Sequence, residues 1–277
     1  MVERDVRDGV DRAARSPWME RARAVGFVAK GVVYAVIGVY ALLLAMGKGG
    51  GILDVKDTPK AVQRQPYGDV LLIALAVGLA CHALYRFVEA IVGRPAKTAT
   101  KRLAKRAASV GGGAVSAFLA VTAFQHLAGR SPHGHGSWIQ RVLRWDGGAW
   151  LVIAVGLAFV VAGGFQLYRA VSDRYRKHIH AEELPAGART WVLRICRFGV
   201  AARGGVLLVV GYLLVRAGLL LRDGHAVDTQ RASGTGAALR TIMTQPWGTW
   251  LLGVAAAGLI AYALYMCVTA KYRRAFA

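Results

Sequence analysis

The chain has 277 residues, of which 55% are hydrophobic, and its mean hydropathy is +0.39. Soluble domains are about 45–50% apolar, so the composition points to a membrane protein. The net charge of +21, from 36 Lys and Arg against 15 Asp and Glu, would suit a nucleic-acid binder if the basic residues formed one stripe. They are instead spread among short segments between apolar runs, so no nucleic-acid partner is expected.

In chain order, a polar, basic stretch of about 25 residues comes first, which does not fit a cleavable signal peptide. Six apolar runs follow, near residues 26–46, 69–92, 109–128, 148–171, 199–221 and 248–268. Each is long enough to cross about 30 Å of hydrocarbon as a helix, and the first reads as a retained signal-anchor. Spanning strands are excluded because the runs are continuously apolar rather than alternating. The expected fold is an all-α integral membrane protein with six transmembrane helices. With the N-terminus inside, 25 of the 36 basic residues fall on inner segments and inner helix ends, ten on outer loops, and Arg216 near the outer end of span five. Basic segments resist translocation. The expectation is therefore a multi-pass protein of the plasma membrane, with cytoplasmic N- and C-termini and with loops near 47–68, 129–147 and 222–247 outside.

The tryptophans fit this frame. Trp138, Trp145, Trp150, Trp247 and Trp250 fall at the outer interface, and Trp18 and Trp191 at the inner one, the level an amphipathic ring prefers. Ser16-Pro17 and Thr190-Trp191 read as inner-side helix starts. Residues 238–243 read as a short interfacial half-helix before span six. Cys81, Cys196 and Cys267 are odd in number and unpaired in spacing, giving neither a disulfide framework nor a zinc signature.

The spans repeat. Trp18, Gly26, Lys30, Gly31 and Gly38 recur 173 residues later as Trp191, Gly199, Arg203, Gly204 and Gly211. The middle unit follows at an offset of 82, with Gly113 for Gly31. The even spans align at offsets of 80 and 180. They open on Gly68, Gly148 and Gly248, and then match Tyr85, Phe165 and Tyr265. Gln65-Pro66-Tyr67-Gly68 returns as Gln245-Pro246-Trp247-Gly248. Two-helix units that repeat in tandem enter from the same side, unlike the inverted repeats of many transporters, and three such units most simply pack around a pseudo-threefold axis. The organisation expected is a basic arm with a helix start (1–25), then repeats at 26–93, 94–175 and 176–277, the last with an inner linker and a basic tail.

The pattern Arg-x-x-x-x-Gly-x-x-Ala-Lys/Arg-Gly, from Arg21 to Gly31 and from Arg194 to Gly204, resembles the bacterial domain-of-unknown-function family 1206. So does the Pro-aromatic-Gly that opens spans two and six. The family is common in actinobacteria and consists of three tandem two-helix membrane repeats. The resemblance covers about Arg21 to Arg274 and implies the fold, and the family brings no established activity. The middle unit departs most: Gly112 stands for the basic residue and Ser116 for Tyr34.

Charges inside the spans mark the candidate site. Lys30 and Arg203 lie about four residues into spans one and five, roughly 6 Å deep, where they either snorkel to inner headgroups or find a partner. Glu89 lies at matched depth on span two, so a Lys30–Glu89 ion pair is expected. His82, Arg86 and Glu89 follow i, i+4, i+7 on one face. The histidine reads first as a packed side chain and, as the alternative, as a proton relay. Tyr34 shares a face with Lys30 and Gly38 and can bear on a ligand or lipid cavity. Gly31, Gly38, Gly204 and Gly211, and likewise Gly258, read as helix-packing positions. The pairs His133/His135 and His178/His180, the latter followed by Glu182 and Glu183, are weak metal motifs. No Walker loop, His-Glu-x-x-His or nucleophile elbow occurs, so no catalytic residue, metal or cofactor is expected.

Three function classes follow: a non-enzymatic accessory or scaffold component that binds lipid or another membrane protein, a small-solute or ion channel or transporter that uses the Lys30/His82/Glu89/Arg203 region, and a membrane redox or cofactor protein. The first is preferred, since Gly156 to Gly164 and Gly253 to Ala261 carry no polar side chain to line a conduit. The expected partners are membrane lipids, anionic at the cytoplasmic face.

Overall fold

The computed structural model describes residues 17–63, 67–92, 99–129, 147–172, 186–223 and 235–272. In chain order they form α1 (Pro17–Ala45), a 3-10 turn (Val55–Asp57), α2 (Thr58–Gln63), α3 (Gly68–Val92), α4 (Ala99–Leu127), α5 (Gly148–Val171), α6 (Ala186–Arg222), α7 (Thr235–Met243) and α8 (Gly248–Tyr272). No strand occurs among the described residues. α1, α3, α4, α5, α6 and α8 are long and apolar enough to cross a membrane, where only a helix can satisfy every backbone group within one segment. The chain is an all-α integral membrane protein with three two-helix repeats.

The first span of each repeat extends well before its apolar run. α6 begins at Ala186, which corrects the expected start at Thr190-Trp191. Ala186, Ala188 and Arg189 are strong helix formers, so the helix is under way before the membrane is reached. α3 shows why these helices need lipid. Its inward residues Leu72, Leu75, Ala76, Leu79 and Ala83 are buried, yet Leu71, Ile73, Val77, Leu84 and Ile91 on the other side are exposed. A helix apolar all round belongs in hydrocarbon.

α3 and α8 open on the same turn. Tyr67 and Trp247 hold φ of 60° and 64°, a conformation that costs a bulky residue roughly 1–2 kcal/mol. The following glycine lets the chain double back, because a Cβ on Gly68 or Gly248 would collide with the carbonyl of Gln63 or Met243. The preceding short helices α2 and α7 therefore end against the start of the span. α7 buries Gly236, Ala237, Ala238 and Leu239, with Ala238 packed among Val206 and Val210 of α6.

The described chain packs as two compact units. One comprises Met1–Val32, Pro59–Arg130 and Met266–Ala277, and the other Val33–Thr58 and Ser131–Tyr265. In the second unit, α5 and α6 run antiparallel with small residues every seven positions on both. Ala149, Gly156 and Gly163 face Gly218, Gly211 and Gly204. A Cβ on Gly211 would lie 2.8 Å from the Gly156 carbonyl oxygen, and one on Gly156 3.0 Å from that of Gly211. Backbones this close make reciprocal Cα–H···O contacts and the tight packing on which helix association in lipid depends.

The repeat correspondence holds at the level of contacts. In the first unit, Gly26 packs on His82 and Gly78 on Ala29; in the second, the matching Gly199 packs on Tyr262 and Gly258 on Ala202. Likewise Gly38 meets Ile260 and the Ala256 carbonyl as Gly211 meets Val160 and the Gly156 carbonyl. The corresponding positions of the middle repeat, Ala108 and Gly111 on α4 and Ala158 and Ala162 on α5, are exposed.

Gly211→Val should be strongly destabilising, by about 1–3 kcal/mol for overpacking, because its new side chain would meet Val160 and the α5 backbone. Gly205→Ala on the same helix meets nothing within 4 Å and should be neutral or slightly stabilising. Thermal unfolding of the two variants in one detergent checks the contrast.

Candidate functional site

Polar side chains gather in two places. In the first unit, α3 carries His82, Tyr85, Arg86 and Glu89 on one face. Glu89 is 2% exposed, and a carboxylate that deep needs donors. It accepts from Arg86 Nη1 at 2.7 Å, from the Ser109 hydroxyl of α4 at 2.8 Å and from the Tyr85 hydroxyl at 3.1 Å. Arg86 also donates to the Ala108 carbonyl at 3.1 Å. Its guanidinium lies against Gly112, where a Cβ would be 2.7 Å from Nη2. His82 is buried, edge-on to the Phe27 ring at 5.0 Å between centroids, and Nδ1 has no hydrogen-bond partner among the described residues. An apolar aromatic neighbour suits a packed imidazole better than a relay.

Glu89 forms an ion pair with Arg86, one turn away, because i, i+3 spacing on their shared face brings the two side chains within reach. Lys30 is half-buried on α1. Arg23, which sequence reasoning did not single out, is 4% exposed. It donates to the carbonyls of Thr269 and Ala270 at 3.1 and 3.3 Å, near the end of α8, where a helix leaves carbonyls without partners and favours a cation. A basic residue in a basic arm gave no signal for that role.

The second cluster is in the other unit. Arg203 of α6 donates from Nε to the Tyr34 hydroxyl at 3.1 Å and from Nη1 to Gln166 Oε1 of α5 at 3.0 Å. Its guanidinium carbon lies 4.7 Å from the Tyr262 ring centre and 5.4 Å from that of Tyr34, and the two rings meet edge-on at 5.0 Å. Tyr265 adjoins Tyr262 at 5.6 Å. The structure thus brings together Tyr34 and Arg203, and adds Gln166 and Tyr262. Gln166 stands in the sequence as the one amide of residues 148–171, between Phe165 and Leu167, but its partner was not legible there. Cation–π contact and neutral acceptors hold the guanidinium in place, and among the described residues no carboxylate contacts it.

Of the helix-packing candidates, Gly204 and Gly211 face α5 and Gly38 faces α8, while Gly31 is buried. No group of three metal-ligating side chains occurs among the described residues. His133, His135, His178, His180, Glu182 and Glu183 lie outside them.

Replacing Glu89 by Gln removes a charged hydrogen-bond network, at about 1.5–3 kcal/mol, and leaves Arg86 uncompensated. Arg86→Gln in the Glu89→Gln background should restore part of the thermostability in detergent. Lys30→Met should be additive with Glu89→Gln if Lys30 takes no part, whereas sub-additive loss identifies the second pair.

The model of the family described as Domain of Unknown Function (DUF1206) matches three regions, residues 25–93, 107–173 and 198–273, one for each repeat. The uncharacterized protein YxxB of Bacillus subtilis (strain 168) is 27% identical over 263 residues, covering 93% of this chain and 92% of that protein. No solved structure matches the chain. With three matched regions that together take in most of its length, the chain belongs to the DUF1206 family.

Proposed function

We propose that this protein is a non-enzymatic, lipid-binding accessory component of the plasma membrane, with both termini in the cytoplasm, able also to pack against another membrane protein. The observation that carries the reading is Arg203. It is a permanently charged group within an apolar span, fixed by two tyrosine rings and an amide, and its described partners are neutral. Holding a charge there costs several kcal/mol unless a counter-charge arrives, and membrane lipid is the abundant anion at the cytoplasmic face. Gly156 and Gly211 also favour this reading over conduction, since α5 and α6 close backbone to backbone there.

Phospholipid that stays bound to the detergent-purified protein through gel filtration should be richer in anionic species than the membrane it came from. Retained lipid of bulk composition would overturn the reading. For the orientation, single cysteines at Gly50 and Gly136 should react with an impermeant maleimide on intact cells. Labelling confined to lysed cells would place these loops inside.

A further inference from the structure

We infer that the α5–α6 interface holds an external oxyanion, the phosphate of a lipid headgroup or a free phosphate, between Arg203 and Arg169. This rests on the lipid-binding reading and names the chemistry of its site. The repeats make two helix interfaces equivalent, α3–α4 and α5–α6. Gly113 of α4 packs on Phe87 of α3, with a Cβ 3.1 Å from the ring. Gly204 of α6 packs on Leu167 of α5, with a Cβ 3.1 Å from its Cγ. Gly113 and Gly204 both match Gly31, and Phe87 and Leu167 match each other at the offset of 80. The helices therefore meet in the same register.

At α3–α4 the cation is Arg86, Gly112 makes room for it, and the chain supplies the anion as Glu89, held by Ser109 and Tyr85. At α5–α6 each of these positions has changed. Gln166 stands for Arg86 and Arg203 for Gly112, so the cation has moved to the facing helix while the interface keeps one. Arg169 stands for Glu89, and Val200 and Phe165 replace the two hydroxyl donors. The built-in anion and the groups that held it have gone together, and a second cation occupies its place.

The geometry leaves a vector for a ligand. Arg203 commits Nε and Nη1, and Nη2 has no partner among the described residues. Arg169 lies one helical turn from Gln166, is half-buried, and holds its guanidinium carbon 6.0 Å from the Phe165 ring centre. Two arginines near one end of a span, with aromatic rings for walls and no carboxylate among their described contacts, suit an oxyanion with several acceptor oxygens, which phosphate provides.

The test titrates a short-chain phosphatidylglycerol, phosphatidylcholine of the same chain length, and inorganic phosphate against the full-length protein in detergent. Binding is read from the shift in thermal unfolding. Phosphatidylglycerol should stabilise the wild type and phosphatidylcholine should not. Arg203→Gln and Arg169→Gln should each weaken the phosphatidylglycerol response about tenfold or more, the equivalent of one charge-assisted hydrogen bond, with Arg203→Lys intermediate. Inorganic phosphate that competes only weakly points to a lipid headgroup, and inorganic phosphate that stabilises at the same concentration as the lipid points to a free anion; either supports the site. Arg203 is fixed by two side-chain hydrogen bonds, so Arg169→Gln carries the test if Arg203→Gln does not fold. A folded Arg169→Gln protein with the wild-type response to phosphatidylglycerol and to phosphate overturns the inference. In that case anionic lipid enrichment of the purified protein would still stand, whereas loss of enrichment would sink the wider reading itself.

Discussion

In hydrocarbon two helices gain nothing by hiding leucines from water, so what pairs them is how closely their backbones approach. In this protein that approach is set by glycine and alanine at fixed positions. Gly156 and Gly163 meet Gly211 and Gly204 across α5–α6, and the same notch, Gly38 against Ala256, recurs between α1 and α8. Because the notches sit at repeat-related positions, the same few contacts are used more than once. Two arginines of the spans sit beside such glycines: Arg86 fits against Gly112 because that position has no side chain, and Arg203 emerges one residue before Gly204.

The second constraint is charge. An arginine within a span must be answered by an anion or held at the water's edge, and the repeats give two different answers at equivalent places. Between α3 and α4 the answer is internal, with Glu89 receiving three donors. Around Arg203 the contacts are a phenol, an amide and two aromatic faces, which orient the cation without neutralising it. Duplicated units free one copy to change its chemistry while another keeps the packing, and the switch from Glu89 to Arg169 at one position is an instance. Arg23 shows a third use of a buried cation, closing the carbonyl end of α8.

What the sequence determined by itself was the fold class, the number of spans and the repeat. These follow from one-dimensional quantities: the length of an apolar run against the thickness of hydrocarbon, and residues that recur at fixed offsets. It also marked Gly68 and Gly248 as positions where spans open, since Pro-aromatic-Gly recurs there, whereas the left-handed turn before each glycine belongs to the folded backbone. The start of α6 was misplaced because helix-forming residues before the apolar run carry no membrane signal. Only the tertiary structure decided which charges meet. Depth placed Lys30 and Glu89 at one level but says nothing of azimuth, and the contact of Arg86 with Glu89 at 2.7 Å emerged only in the folded chain. Tyr34 and Arg203 are 169 residues apart and carry no covarying pattern that one sequence can show. They meet because glycine notches bring their helices close enough for a guanidinium to touch two rings. That distance is a property of packing, which a single sequence constrains only through the positions where side chains are missing.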